Sequence, residues 1–375
     1  MSPPSILLQR IVKPTALPVV LRAVEQIAAV KPRITPVVGA RGRVLAEDVF
    51  ASAPLPAVSV AARDGWAVSA EAVADASSYA PVPVTAIWVD AGDPIPAATD
   101  TVLPAEAVMA QGGSHHALAS APAGEGMRAA GSDADASVPL VRRGTRLRAT
   151  DVAALRACGI EQVSARRPHV AVIATPGSKA RREATVRIVA NAIAALGGVA
   201  EPFFCADEDG ALERALRDTQ TDAIVTVGGT GTGRHDATVR TVAMVGHVVC
   251  HGIGIAPGET SAFGARGETP ILMLPGRLDA ALAGWLLLGH PLLNALGGTA
   301  EPPPAARGAL ARKIVSTIGV AEMILVRRDG VDGVVPIAAG LFPLQALLAA
   351  GGYVVVPPES EGFPAGADVE VRALP

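Results

Sequence analysis

Aromatic residues are scarce in this chain: Phe, Trp and Tyr make up 3% of its 375 residues, although half of the residues are hydrophobic. An excess of positive charge is also absent, since 35 acidic residues face 32 basic ones and the net charge is −3. This composition offers no case for binding nucleic acid or a membrane surface. Lysine is rare as well, because every basic residue is arginine except Lys13, Lys31, Lys179 and Lys313.

Long apolar runs and paired cysteines are missing too. The best membrane-helix candidate, Ala280–Leu288, is much shorter than the ~18 residues that a membrane helix needs. The N-terminus lacks the basic start, apolar run and small-residue cleavage site of a secretory leader. Cys158, Cys205 and Cys250 lie far apart and without C-x-x-C spacing, which indicates buried free thiols. We therefore expect a soluble, cytoplasmic protein with no membrane partner.

Changes of sequence texture divide the chain into predicted parts. Residues 1–50 and 141–167 are predicted to form an N-terminal helical and linker domain, with helix up to about Asp48 because apolar residues recur at helical spacing. Residues 51–140 contain short alternating runs separated by Pro, Gly and Asp, which is typical of an inserted β domain. We expect the two segments that flank this insertion to pair with each other.

The second half of the chain predicts a different architecture. Residues 168–298 open with the continuous apolar run His169–Ala174, as expected for a parallel strand buried on both faces, and strands then alternate with helices. Residues 305–375, after a Pro302–Pro304 linker, predict a small β-barrel-like domain with one helix. The predicted fold class is multidomain α/β: a central parallel α/β domain, an inserted β domain, a C-terminal small β-barrel-like domain and an N-terminal helical segment.

A run of glycine and threonine carries the strongest functional signal. The predicted strand Asp222–Val227 leads directly into Gly-Gly-Thr-Gly-Thr-Gly, and a helical pattern begins at Asp236. Glycine lets successive backbone N–H groups approach an anion near a helix start, and ligands of open α/β sheets bind at these strand ends. The alternative is a tight turn in which Asp236 only caps the helix.

Three further motifs follow or separate predicted strands. Thr175 begins the Thr-Pro-Gly-Ser-Lys stretch after the first strand, and Pro275-Gly276 follows a later strand of the same sheet. Either could be plain turn chemistry. Asp64-Gly65, between two alternating strands, is first of all a hairpin signal. No metal site is predicted: His115-His116 has no neighbouring carboxylate or cysteine.

Four motifs, in chain order, resemble those of one known family. Arg63–Val68 (Arg-Asp-Gly-Trp-Ala-Val) is similar to the family's Met-Asp-Gly-Tyr-Ala-Val, and Gly92–Pro96 to its Gly-x-x-Leu-Pro. Gly228–Asp236 resembles Gly-Gly-x-Ser-x-Gly-x-x-Asp, and Leu274–Gly276 resembles the start of Leu-Pro-Gly-Asn-Pro-x-Ser. The family is that of the molybdopterin molybdotransferases, called MoeA in bacteria and the E domain of gephyrin in animals. The resemblance covers nearly the whole chain.

This resemblance implies a function and a set of site residues. Family members hydrolyse adenylylated molybdopterin and insert molybdate into its dithiolene, generally as homodimers. Carried over, Asp236 and Asp64 are the catalytic candidates, and Asp236 would help to position water or a metal ion such as Mg²⁺. The residues expected to bind molybdopterin lie in three loops: Gly228, Gly229, Thr230, Gly231, Thr232 and Gly233, then Thr175, then Pro275 and Gly276.

The departures from the family pattern concern molybdate. The family's Lys-Pro-Gly-Lys-Pro stands here as Ala256-Pro-Gly-Glu259-Thr, and its serine after Pro-Gly-Asn-Pro aligns with Ala280. The family's Gly-Asp-Glu-Leu aligns with residues 177–180, which removes both carboxylates. Losing two cations and gaining a carboxylate removes Coulomb attraction worth ~1–4 kcal/mol per charge pair. We therefore predict weak binding of molybdate.

Three hypotheses follow. The first is an enzyme of molybdenum cofactor synthesis. The second is a catalytically degenerate carrier or chaperone that hands molybdopterin to a molybdoenzyme. The third is a non-catalytic dimeric scaffold. Family resemblance favours the first and the substitutions favour the second, and release of AMP from adenylylated molybdopterin would separate them.

Overall fold

The computed structural model describes residues 11, 13–175, 179–299, 305–330 and 332–375. The N-terminal half combines two helices with short strands. Its elements are α1 (Leu17–Glu25), β1 (Arg33–Pro36), β2 (Val44–Leu45), β3 (Val60–Ala61), β4 (Gly65–Val68), β5 (Val82–Val84), β6 (Ile87–Val89), β7 (Thr101–Pro104), β8 (Val108–Gln111), β9 (Ser114–Ala117), β10 (Met127–Arg128), α2 (Ala149–Ala157) and β11 (Gln162–Arg166).

The two flanks of the insertion pair as expected. β11 lies between β1 and β2 and runs antiparallel to both, which gives the sheet order β1-β11-β2. The expectation of helix up to about Asp48 was wrong in extent, because α1 ends at Glu25 and the chain is extended from Arg33. α1 has already ended at its C-cap Gln26; Pro32 then disfavours a further helix, and the β-branched residues that follow favour strands.

The inserted segment contains three small antiparallel sheets, with orders β6-β4-β7, β5-β9-β8 and β10-β3. The alternating runs that predicted strands at 66–68 and 101–103 lie inside β4 and β7. The hairpin interpretation of Asp64-Gly65 was wrong. β3 pairs with β10, whereas β4 pairs with β6 and β7, so the two strands on either side of Asp64 belong to different sheets.

The central part is built on a six-stranded sheet. Its elements are β12 (His169–Ala174), α3 (Lys179–Ala195), β13 (Val199–Phe204), α4 (Ala211–Asp218), β14 (Ala223–Val227), α5 (Thr238–Val245), β15 (His247–His251), β16 (Ile255–Ala256), β17 (Ala262–Arg266), β18 (Thr269–Leu274), α6 (Leu278–Gly284) and α7 (His290–Gly297). The order is β13-β12-β14-β18-β17-β15. The first four strands are parallel, as predicted, and the last two are antiparallel.

Both faces of this sheet are buried, which explains the continuous apolar runs of its strands. Val170, Val172 and Ala174 of β12 pack in a cluster with α3, α6 and α7. Ala171 and Ile173 point the other way, into a cluster with α4 and α5. Because successive side chains of a strand alternate in direction, a strand covered on both sides has no polar face.

α6 and α7 are one continuous helix joined by a π-helical turn at Trp285–Gly289. Within the described residues, Leu278–Gly297 is the helix that is long and apolar enough to cross a membrane by length and composition, but 78% of its most apolar window is buried inside the fold. It is the core helix of this protein. A Cβ atom on Gly289 would lie 2.2 Å from the indole of Trp285, so glycine leaves the space that this side chain occupies.

The C-terminal part is a small barrel. Its elements are β19 (Ala305–Leu310), β20 (Ile314–Val315), β21 (Ala321–Asp329), β22 (Gly333–Ala338), α8 (Leu344–Ala349), β23 (Gly352–Val356), β24 (Gly362–Phe363) and β25 (Asp368–Arg372). Five strands close in the order β21-β22-β19-β25-β23, with β23 pairing back to β21. β16 of the central part adds to β21 as a parallel neighbour. The predicted Pro302–Pro304 linker lies outside the described residues.

Candidate functional site

A cavity of about 800 Å³ lies at the carboxyl edge of the central sheet. β12, β14 and β18 are neighbours and parallel, so the loops that follow them begin at the same edge. The cavity is lined by Thr175 after β12, by Gly228–Gly231 after β14 and by Pro275–Arg277 after β18. The three loops that the sequence singled out therefore face one space. Pro176, Gly177 and Ser178 lie outside the described residues.

Backbone hydrogen bonds hold these loops against one another. Thr175 donates its N–H to the carbonyl of Val227 at 3.0 Å, and Gly228 donates its N–H to the carbonyl of Leu274 at 2.9 Å. Gly228 has φ +104° and Gly229 has φ +68°, a region that side-chain-bearing residues rarely adopt. A Cβ atom on Gly228 would lie 2.5 Å from Thr175 Oγ1. Glycine at 228 thus permits both the turn and the close approach.

Asp236 closes the glycine-rich loop. Its Oδ2 accepts a hydrogen bond from the N–H of Gly233 at 2.9 Å. α5 begins at Thr238 and Ala237 is its N-cap, without a side-chain cap, so the interpretation of Asp236 as that helix's N-cap was wrong. The half-buried carboxylate instead lines the cavity, together with Gly229 and Gly231. It also lines a second, adjoining cavity, of about 850 Å³.

The remaining sequence-predicted residues are placed differently. Thr232 and Gly233 are exposed and are not among the residues that line the cavity. Asp64 lies in the inserted segment, where its Oδ1 accepts the N–H of Ala91 at 2.8 Å. This bond joins it to the residue directly before the Gly92–Pro96 motif. None of the described residues of the inserted segment lines the cavity of its own chain.

Several lining residues gave no sequence signal. Thr260 comes from the loop before β17, and its Oγ1 lies 3.1 Å from Oγ1 of Thr230. Phe342 and Leu344 come from the C-terminal barrel and complete one wall. The N–H of Phe342 donates to Oδ2 of Asp279 at 3.2 Å, across 63 positions of sequence. Of these residues, only Asp279 carries a recognisable sequence signal, because acidic side chains favour the first turn of a helix.

Arg277 and Asp279 form an ion pair at the N-terminus of α6. Arg277 donates from Nε to Oδ1 at 3.1 Å and from its terminal nitrogen to Oδ2 at 2.6 Å. Burial opposes ionisation of Asp279, but the hydrogen bonds from Arg277, Phe342 and Ala280 prevail and lower its pKa. The same hydrogen bond raises the pKa of Arg277, to which the nearby charge of Glu259 contributes. The pair is therefore ionised throughout the neutral range.

The loop that aligns with the family's Lys-Pro-Gly-Lys-Pro is fixed from two sides. Ile255 and Ala256 pair with β21 of the barrel, and Ile253 forms a bridge with Thr15 near the N-terminus. Ala256 and Glu259 do not line the cavity, whereas Thr260 does. Ala280 is buried, and its carbonyl lies 3.0 Å from where a Cβ of Gly258 would stand. Glu259 and Ala280 are therefore each next in sequence to a residue that lines the cavity, Thr260 and Asp279 respectively.

The donors around the cavity do not form a protein-only metal cage. Among the described residues, no group of three or more His, Cys, Asp or Glu could hold a metal ion. The carboxylates that line the cavity are Asp236 and the ion-paired Asp279. Mg²⁺ is usually held by one or two carboxylates together with phosphate oxygens. Among the described lining residues, Asp236 is thus the carboxylate that is left to contribute, and phosphate oxygens and water would have to supply the remaining ligands.

Two family models match most of the chain. A family model described as the MoeA N-terminal region (domain I and II) matches residues 14–159, and one described as a probable molybdopterin binding domain matches residues 172–295. The chain belongs to the MoeA family. The second match contains all the loops that line the cavity except the contribution of the barrel.

Relatives of this MoeA family member align with it over most of their length. A molybdopterin biosynthesis protein of Methanocaldococcus jannaschii is 25% identical over 90% of this chain and 91% of its own length. Molybdopterin molybdenumtransferase 2 of Mycobacterium tuberculosis is 25% identical over 93% of this chain and 97% of its own length. A crystal structure of the MoeA protein from Pyrococcus horikoshii superimposes with a TM-score of 0.74 at 27% identity, covering 97% of this chain and all of the other.

Proposed function

We propose that this protein is an enzyme of molybdenum cofactor synthesis that binds adenylylated molybdopterin in the cavity at the carboxyl edge of the central sheet. One observation carries the proposal: Thr175, Gly228–Gly231, Asp236 and Pro275–Arg277 converge on one space inside the segment that matches the molybdopterin-binding family model. The names of the relatives favour synthesis over the carrier and scaffold alternatives.

The proposed reaction is hydrolysis of the phosphoanhydride that joins AMP to molybdopterin phosphate. Water attacks phosphorus, the bridging P–O bond breaks, and AMP leaves. The glycine-rich loop would hold the phosphate by close backbone approach. Asp236 would orient the attacking water, because its carboxylate is fixed by Gly233 and lines the same space as Gly229 and Gly231.

The structure adds a reason to expect weak molybdate binding. Arg277, which lines the cavity together with Arg182, is already bound through two nitrogens to Asp279. Its charge also interacts with Glu259. A cation that is already compensated offers less net attraction to a molybdate dianion. We infer that this protein binds molybdopterin more tightly than it binds molybdate.

The homodimer and the cytoplasmic location remain parts of the proposal that rest on family resemblance. Asp64 keeps its proposed catalytic role on one condition. Because it lies outside the cavity of its own chain, it can act only if a second copy of the chain brings its inserted segment to that cavity.

The test follows AMP release and pterin retention separately. Purified protein is incubated with adenylylated molybdopterin, with and without molybdate. We expect AMP release by the wild type, and about 10²-fold slower release with retained pterin binding in Asp236→Asn, as for the loss of a group that positions water. Retention of pterin without AMP release by the wild type would instead support the carrier, and neither event would support the scaffold.

A further inference from the structure

A second, strongly basic cleft lies at the opposite edge of the central sheet. It has a volume of about 500 Å³ and is formed where the β1-β11-β2 sheet meets the first residues of β12 and the residues before β14. β12 spans six residues at ~3.3 Å each, so this cleft is roughly 20 Å from the glycine-rich loop. The two sites share no lining residue.

Four cations line this cleft: Lys31, Arg33, Arg43 and Arg167. Arg33 stands opposite Ala165 in the ladder of β1 and β11. Val44 stands opposite Arg166 in the ladder of β2 and β11, so continuing that register by one residue places Arg43 opposite Arg167. Like charges in facing positions of neighbouring strands destabilise a sheet. The fold therefore holds several arginines together at a cost.

No ion pair within the described part of the chain involves these four cations. No carboxylate oxygen of a described residue lies within 4 Å of any of the four cations. Asp222 is the acidic residue among those that line the cleft, and its Oδ2 accepts the N–H of His169 at 2.8 Å. Glu201 lies beside the same histidine, with Oε1 3.7 Å from Nδ1, and does not line the cleft.

Arg43 is fixed rather than free to turn away. Its terminal nitrogen donates to Oγ1 of Thr35 at 2.5 Å, and Thr35 is buried. Burial lowers the pKa of the Arg43 guanidinium, and the charge of Arg167 lowers it further. A preorganised guanidinium pairs with phosphate oxygens through two parallel hydrogen bonds. The environment of Arg43 thus favours an anion that neutralises both arginines at once.

We propose that this cleft binds a small polyphosphate, either inorganic or the phosphate chain of a nucleotide. The cleft volume falls within the roughly 300–1,000 Å³ typical of small-molecule sites, which is more than a single phosphate needs. Several phosphates in a row would reach the cations at this end of the three strands. This site is separate from the proposed molybdopterin site and does not depend on that function.

The experiment measures binding of inorganic tripolyphosphate to the whole protein by titration calorimetry at low salt. We expect Arg167→Gln and Arg43→Gln each to weaken binding about tenfold or more, because each removes a bidentate partner. Arg156→Gln is the matched control: Arg156 is an exposed arginine of α2, away from the cleft, so it changes the net charge equally. Its affinity should stay within about twofold of the wild type.

Further arms identify the source of the ligand and exclude unfolding. ATP binding more tightly than tripolyphosphate, with the same loss in Arg167→Gln, would assign a nucleotide, and equal affinities would assign the phosphate chain alone. Arg167 is exposed and outside the catalytic cavity, so its variant should keep wild-type AMP release and melt no lower than the wild type, because it only removes repulsion of Arg43. No binding by the wild type at millimolar tripolyphosphate, or equal weakening by Arg156→Gln, would overturn the proposal.

Discussion

Two glycines of the cavity loop are required by one carboxylate. A Cβ atom would lie 2.7 Å from Oδ2 of Asp236 if placed on Gly231, and 2.9 Å if placed on Gly233. Neither residue has positive φ, in contrast to Gly228 and Gly229. Space for Asp236, and not backbone freedom, is therefore what glycine provides at position 231.

This distinction sharpens a prediction for Gly231→Val. The valine side chain would displace the Asp236 carboxylate and narrow the cavity, so binding of molybdopterin should fall at least about tenfold while the fold is kept. Titration calorimetry measures the affinity, and circular dichroism checks the fold. Gly39→Val is the matched control, since no atom lies within 4 Å of a Cβ at that position. Unchanged affinity in Gly231→Val would move the ligand elsewhere.

A second prediction concerns molybdate. The double variant Ala256→Lys/Glu259→Lys restores two cations and removes a carboxylate whose charge interacts with Arg277. Its molybdate binding should therefore be about tenfold or more stronger than that of the wild type. Equilibrium dialysis with radiolabelled molybdate compares this variant with the wild type. Tight binding by the wild type, or no gain in the double variant, would show that these positions do not control molybdate. Glu268→Lys, at an exposed position, is the control and should not strengthen molybdate binding.

At the scale of elements, sequence periodicity predicted those strands and helices whose own residues favour them. The apolar run His169–Ala174 forms the buried strand that it indicated. β17 was missed because its Ala and Gly residues favour strands weakly, and Gly264 is there for a tertiary reason: a Cβ would lie 2.4 Å from the carbonyl of His247. The contact of Phe342 with Asp279 could not be predicted either, since no local pattern encodes a pairing between distant segments.

The π-helical turn in the core helix gives a prediction at this scale. Gly289→Ala improves helix propensity, but the new methyl group would lie 2.2 Å from the ring of Trp285, which is buried. We expect overpacking to dominate and the free energy of unfolding to fall by about 1–3 kcal/mol. Urea denaturation measures it. Gly39→Ala, with no atom near the new Cβ, should change it by less than about 0.5 kcal/mol. A more stable Gly289→Ala variant would contradict this account of the turn.

At the scale of the whole molecule, the separation of Asp64 from the cavity of its own chain makes assembly testable through activity. If the proposed homodimer is correct, pure Asp64→Asn and pure Asp236→Asn should each release AMP about 10²-fold more slowly than the wild type. Mixed and re-equilibrated, half of the dimers would contain one intact site out of two, which gives about one quarter of the wild-type rate. AMP release measures this rate.

Light scattering on the same mixture is the control for assembly. A monomeric mass at micromolar concentration would count against the dimer. A dimeric mass without recovered activity would show that Asp64 of one chain does not complete the site of the other, and wild-type activity of pure Asp64→Asn would place Asp64 outside the reaction.

The short strand β16 has a consequence for how this protein can change over generations. Its backbone is held by β21 on one side, while neighbouring Ile253 is tied to Thr15, and none of these contacts requires a particular side chain at Ala256 or Glu259. A mutation at Ala256 can therefore alter the charge of this loop while those backbone contacts hold it in place. At Glu259 a mutation also removes one local contact, because its Oε2 accepts the N–H of Gly258 at 3.1 Å. Such a loop tolerates drift in its chemistry while its shape persists, which is how a lineage could exchange one anion preference for another on an unchanged scaffold.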